Sequence, residues 1–225
     1  MRPTVLAALV PALLAAPCAL RAQMPVQKSV GAAPAAAATA APVVLPGGWA
    51  MRLDRDGAAT AGLKFATMGA GFHATTGPSG IFYDASMTAT GAYTAQATFT
   101  QTKAPAHPEA YGLIFGGSGL GGPQQEYFYF VVRGDGKFLV KHRAGTEVHT
   151  IQDWTAHPAV QVADAAGKAT NALRVRVGAD SVRLDVNGTQ VHALPKVKSD
   201  GIVGVRVNHA LDVHIDGLTV TPGAR

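Results

Sequence analysis

The segments Leu173-Arg174-Val175-Arg176-Val177 and Val182-Arg183-Leu184-Asp185-Val186 alternate aliphatic and charged residues one by one. Successive side chains of a β-strand point to opposite faces, so a period of two sends the aliphatics inward and the charges outward from a half-buried sheet. Beyond Trp49 almost nothing follows the three-to-four-residue period of an amphipathic helix; the text is short alternating segments divided by glycine, asparagine and proline. The clearest strands are 93–100, 111–115, 127–132, 137–142, 173–177, 182–186, 203–207 and 211–220. Gly134-Asp135-Gly136 joins the third to the fourth, and Asn187-Gly188 turns the chain back onto 189–192, because Asp-Gly and Asn-Gly readily take the positive φ of tight hairpin turns. Gly178-Ala179-Asp180 is a third turn. Many short strands with such turns predict an all-β chain folded as a two-sheet antiparallel sandwich of the jelly-roll kind. One strand breaks the alternation: Tyr127-Phe128-Tyr129-Phe130-Val131-Val132 is apolar on both faces. It is either central and covered on both sides, or it shows rings along a groove.

The N-terminus bears on compartment. Met1-Arg2 precedes an apolar run from Val5 to Leu20 and then Arg21-Ala22-Gln23. A charged start, an apolar stretch short of the roughly 18 to 20 residues of a membrane span and small residues at its end predict a cleaved signal peptide, residues 1–22. The expected destination is the periplasm or the exterior; lipidation at Cys18 is the alternative, disfavoured by Pro17 immediately before it. Cys18 is the single cysteine, so the processed chain is expected to lack disulfides, thiol nucleophiles and cysteine-based metal sites. Residues 23–47 are rich in Ala, Pro, Val and Gly, with Pro34 and Pro42 interrupting the alanines, and read as a flexible linker. Residues 48–225 are the sandwich domain, about 175 residues, enough for one substantial core. Two of the 19 basic residues, Arg2 and Arg21, leave with the signal, so 17 stand against 14 acidic ones, a net +3 without clustering. That balance argues against nucleic acid, and no other window is long and apolar enough to span a bilayer.

The order of elements carries a resemblance. Tyr111-Gly112-Leu113-Ile114-Phe115-Gly116 is followed by Tyr127-Phe128-Tyr129-Phe130, Asp135-Gly136-Lys137-Phe138 and Asp153-Trp154. Then come Asn171-Ala172-Leu173-Arg174-Val175, Val186-Asn187-Gly188-Thr189-Gln190-Val191 and Gly201-Ile202-Val203-Gly204-Val205. From about Ile81 to Val220 this resembles the concanavalin A-like superfamily of jelly rolls, in particular laminin G-like domains and the bacterial 3-keto-disaccharide hydrolase-type domain. The resemblance implies a twisted sandwich whose concave face or rim loops often hold carbohydrate, among members that are hydrolases, lectins or adhesion modules. These are structural signatures and carry no chemistry by themselves.

Motifs with chemical content are few. Glycoside hydrolysis uses two carboxylates a few ångströms apart. The only glutamates are Glu109, Glu126 and Glu147, none in the Glu-x-Asp-x-x-Glu spacing of the catalytic members of the superfamily, while Asp185, Asp212 and Asp216 are expected on solvated faces beside arginine or histidine. Gly117-Ser118-Gly119-Leu120-Gly121-Gly122 spells a dinucleotide fingerprint, but Pro123 and a strand follow where a helix would have to receive the pyrophosphate. It reads as a rim loop. Arg133-Gly134-Asp135 and the formal glycosylation acceptor Asn187-Gly188-Thr189 are accounted for by hairpin turns, and Asp54-Arg55-Asp56-Gly57 resembles a calcium loop without its later ligands. His209 and His214, and His142 and His149, lack metal-ligand spacing, and no Gly-x-Ser-x-Gly elbow is present.

What remains is aromatic. Tyr127 and Tyr129 share one strand face, and rings with a hydrogen-bonding edge are what sugar faces pack against; Arg143, Asn208 or His209 would add polar contacts. Core packing is the competing account of each ring, and Trp154 reads as core. The sequence thus predicts a non-catalytic extracytoplasmic module that binds carbohydrate or another envelope component. No catalytic residue, metal or cofactor is assigned. The alternatives are a glycoside hydrolase-like enzyme acting on (3-keto-)disaccharides or polysaccharide, and an assembly protein pairing through an exposed strand edge.

Overall fold

The computed structural model describes residues 42–223. The expected signal peptide, Cys18 and most of the Ala/Pro linker lie outside them. Fourteen strands run in order: β1 (Trp49–Leu53), β2 (Lys64–Met68), β3 (Gly71–Thr75), β4 (Gly80–Ala89), β5 (Tyr93–Gln101), β6 (Ala110–Ser118) and β7 (Glu126–Arg133). They continue with β8 (Lys137–Ala144), β9 (Glu147–Ala156), β10 (Ala169–Val177), β11 (Ser181–Val186), β12 (Thr189–Pro195), β13 (Gly201–Val207) and β14 (Asp212–Pro222). The first sheet has the order β1-β4-β13-β6-β7-β8-β9, the second β12-β11-β10-β5-β14-β3-β2, and the strand pairs are antiparallel. The all-β sandwich is as the alternation predicts, and no helix among the described residues is long and apolar enough to cross a membrane.

The named turns form where the residues demand them. Asn187 and Gly188 hold φ of 50° and 84° between β11 and β12, and Gly136, at 80°, donates its amide to Arg133 O at 3.1 Å between β7 and β8. Asn187 also accounts for its own side chain: Oδ1 accepts from Ala172 N at 2.8 Å and Nδ2 donates to Ala159 O at 2.8 Å. Gly178 N bonds Ser181 O at 2.9 Å in the turn from β10 to β11.

Between the sheets lies one core, to which the first sheet gives Phe82, Tyr111, Leu113, Phe115, Phe130 and Phe138, and the second Phe65, Phe99, Leu173, Val175, Val213 and Ile215. Full burial of such side chains contributes about 1.5–3 kcal/mol each, which is how a sandwich without cross-links holds together. Val43 and Leu45 pack on this core too, so the folded unit begins before Gly48. Asp185 departs from expectation. Instead of facing water it is 3% exposed, beneath Arg176, whose Nε and Nη2 both reach its carboxylate at 2.7 Å. It keeps the outward side that the alternation gives it, opposite Arg174, and is covered there by the Arg176 side chain. Asp212 is likewise held, by His73 Nε2 at 2.9 Å and Lys103 Nζ at 3.3 Å, and Asp216 by His214 at 3.1 Å.

Candidate functional site

The first sheet carries a second apolar layer on its outer face, away from the partner sheet: Ile81, Tyr83, Ala110, Ile114, Leu120, Tyr127, Tyr129, Val131 and Leu139, with Trp154 and Ile202 against it. The pleat explains it. On β7, Phe128, Phe130 and Val132 face the inter-sheet core, so Tyr127, Tyr129 and Val131 face the other way. The strand is central, with side chains buried on both faces, one of which is not the sandwich core; the reading of rings shown along a groove fails, because Tyr127 and Tyr129 are 1% and 7% exposed.

Ladder registers place the neighbours. Tyr129 stands opposite Ile114 and Lys141, and Tyr127 opposite Arg143. In β13, Gly204 is opposite Tyr83 and Ile114, and Arg206 opposite Ile81 and Gly112. A side chain at 204 would run into Phe82 O at 2.6 Å and the Tyr83 Cβ at 2.9 Å, so glycine is required there for β4 and β13 to lie side by side beneath the tyrosines.

Arg206 is the electrostatic centre of this face. Its side chain is 9% exposed, bonds Asp54 through both terminal nitrogens, Nη1 at 2.8 Å from Oδ1, and lies over the Tyr129 ring at 4.7 Å from the centroid. Burial alone would raise the Asp54 carboxyl, but the Arg206 hydrogen bonds and charge, with a further pull from Arg143, hold it below the usual carboxylate range. Arg52 Nη2 meets Asp56 Oδ1 at 3.0 Å, and Arg133 lies over Trp154 at 4.2 Å while bonding Asp135 at 2.7 Å. The aspartates of the calcium-like 54–57 loop are thus engaged by arginines, and among the described residues no cluster of three or more His, Cys, Asp or Glu forms a metal site.

The tyrosines are the unusual part. Tyr127 is 1% and Tyr129 7% exposed, so neither ring lies open as a stacking platform; side-by-side packing with Leu120, Val131 and Arg206 covers the faces expected to meet a sugar. Burial pushes the hydroxyls of Tyr83, Tyr127 and Tyr129 up, so each stays protonated. Yet none of the three has a hydrogen-bond partner among the described residues. Tyr93 and Tyr111, in the inter-sheet core, do: Tyr93 donates to Ser199 O at 2.7 Å, and Asn171 Nδ2 donates to Tyr111 Oη at 3.2 Å.

Of the five residues expected to share a ligand, the structure brings three together. Arg143 faces Tyr127 across the β7–β8 ladder and acts electrostatically on both tyrosines and on Asp54. Asn208 and His209 sit at the far end of β13. Asn208 N bonds Ala110 O at 2.9 Å, and Ala110 is opposite Arg133, six residues along β7 from Tyr127, roughly 20 Å at strand rise. His209 points its Nε2 at Glu109, 3.0 Å away, and is 56% exposed. Neither can touch a small ligand held by Tyr127. Sequence reasoning missed Asp54, Arg206, Arg52 and Tyr83. Arg206 had a signal: Val203, Val205 and Val207 point inward, which puts Gly204 and Arg206 outward in a strand with little polar character. Trp154, expected in the core, packs on the outer layer under Arg133.

No family model and no curated protein matches this chain. Solved structures do. The carbohydrate-binding module CBM66 from Bacillus subtilis is 12% identical with a TM-score of 0.58, over 80% of this chain and 99% of that one. A protein of unknown function with a galectin-like fold, also from Bacillus subtilis, is 13% identical with a TM-score of 0.59, over 79% and 90%. The metal-free carbohydrate recognition domain of Emp46p is 13% identical with a TM-score of 0.51, over 79% and 89%. At such identities the likeness is one of fold: this chain is a jelly-roll sandwich of the kind seen in galectin-like domains and carbohydrate-binding modules.

Proposed function

We propose that this chain is an exported, non-catalytic carbohydrate-binding module, and that its ligand lies on the outer face of the first sheet, over Tyr83, Tyr127 and Tyr129, with Arg143 beside them. The observation that carries this reading is a set of three tyrosines on the outer face whose rings are buried and whose hydroxyls, bonded to no protein group among the described residues, still meet solvent. A hydroxyl at the end of a buried ring and open to solvent is met by water, or by a polyol that displaces it. The contact is with hydroxyl edges and guanidinium groups, and the ring faces stay covered. Two of the similar structures are named for carbohydrate binding, which fits the same reading. Membership of the concanavalin A-like superfamily, with laminin G-like and 3-keto-disaccharide hydrolase-type domains as relatives, belongs to this proposal as well.

Hydrolysis fits less well. A glycosidase needs one carboxyl held protonated as general acid. On this face Asp54 and Asp135 are shifted the other way: burial would raise each, but Arg206 and Arg133 respectively hold them low. The test is a glycan array with the purified chain, followed by titration calorimetry of the best ligand against Tyr127→Phe and Tyr129→Phe. Losing two hydroxyls without disturbing the rings should weaken binding by about fivefold or more, since such hydrogen bonds contribute about 0.5–1.5 kcal/mol each. Undiminished binding by the double variant would remove the site from this face.

A further inference from the structure

We infer that the ligand of this face carries a carboxylate, as a uronic acid residue does, and that Arg143 with Lys141 receives it. The inference rests on the reading just given and adds the chemical class of the sugar. The carrying observation is an imbalance of charge. Around the tyrosines the outer face presents Arg52, Arg133, Lys137, Lys141, Arg143 and Arg206, with the carboxylates Asp54, Asp56 and Asp135 beside them. Those three are taken. Asp54 holds Arg206, Asp56 holds Arg52 at 3.0 Å, and Asp135 holds Arg133 at 2.7 Å and Lys137 at 3.5 Å. Arg143 and Lys141 have no carboxylate within ion-pair distance among the described residues. They are successive outward residues of β8, opposite Tyr127 and Tyr129.

Arg143 is also held in place. Its Nε donates to Gly145 O at 3.1 Å, and Gly145, at φ 60°, is itself tied by its amide to Gln125 O at 2.7 Å. That anchors the guanidinium on the β8–β9 turn and leaves the Nη edge unoccupied. Two Nη donors in one plane match the two oxygens of a carboxylate, and the hydroxyls of the neighbouring tyrosines can donate alongside. A sugar acid would thus satisfy the unpaired cation and the unpartnered hydroxyls together.

The experiment measures binding of the purified chain to galacturonan, glucuronan and alginate oligosaccharides, each paired with its carboxyl-reduced neutral counterpart, and to sulfated galactans. At least one acidic member should bind ten times more tightly than its reduced partner, and the preference should vanish in Arg143→Gln/Lys141→Gln. Arg174→Gln, on the opposite sheet, should leave it intact. Thermal melting of each variant reports folding. Reduced oligosaccharides that bind as tightly as the acids overturn the carboxylate and leave the carbohydrate reading standing. Sulfated galactans bound more tightly than every uronate, with the same loss in the Arg143 variant, also overturn it. If no glycan binds, acidic or neutral, both readings fall.

Discussion

Tyr111 and Tyr127 occupy opposite faces of one sheet and are about equally buried, at 0% and 1% exposure. Tyr111 faces the sandwich core, where Asn171 donates to its hydroxyl. Asn171 in turn accepts Gln161 N at 2.8 Å and Asn187 Nδ2 at 3.0 Å, so the group belongs to a closed network. Tyr127 faces outward among arginines and has no such partner. Accessibility does not separate the two; hydrogen-bond satisfaction does. The Tyr111 hydroxyl is completed inside the protein, whereas that of Tyr127 is left to solvent.

Five substitutions would break or sharpen that contrast. Phe130→Ala, on the core face of β7, should destabilise most, by about 4 kcal/mol in a denaturant titration, because it opens a cavity between the sheets. On the outer face, Asp54→Asn leaves Arg206 buried without its counter-charge. We expect a loss of about 2–3 kcal/mol, less than the roughly 3–5 kcal/mol of a fully buried broken pair because the Asp54 side chain is 33% exposed. The same pair sets an acid limb. Since Asp54 is held below its ordinary value in the fold, its contribution is complete above about pH 4 and is lost as pH falls through the lowered value. Melting curves between pH 5 and 2, a window chosen on those general values, should therefore fall less steeply for Asp54→Asn than for the parent chain. Tyr111→Phe should cost about 1 kcal/mol by stranding Asn171 Nδ2. Smallest of all, Tyr127→Phe or Tyr129→Phe should move stability by less than about 0.5 kcal/mol, because no protein bond is lost. If those outer variants proved as costly as Tyr111→Phe, the hydroxyls would be structural and the contrast would collapse.

The two faces were not equally legible in the sequence. Strict alternation and Asn-Gly or Asp-Gly turns announced β10, β11, β12 and the β7–β8 hairpin, because those residues encode local geometry. β9 was not seen: as an edge strand it is exposed along most of its length, so no buried row imposes a period. β4 was also missed, because Ile81-Phe82-Tyr83 is buried on both faces and does not alternate. For the site, the double apolar character of 127–132 did mark an unusual strand. Which cations join it depends on ladder registers among β4, β13, β6, β7 and β8, and these pair residues far apart in the chain. Asn208 shows the cost of lacking that information. It is two residues past Arg206, just beyond the end of β13, yet level with Arg133, six residues along β7 from Tyr127.

The position of β13 between β4 and β6 has a temporal meaning as well. Until residues 201–207 arrive, the first sheet exists as two separate pieces, β1 with β4 and the meander β6 to β9. Only the late strand joins them, and it brings Arg206 to an aspartate 152 residues earlier in the chain. Contacts of that sequence separation form slowly, since the loop must close before they stabilise anything. This outer face is therefore among the last parts of the molecule to exist, and a chain shortened before Gly201 would possess Tyr83, Tyr127 and Tyr129 and no floor to hold them.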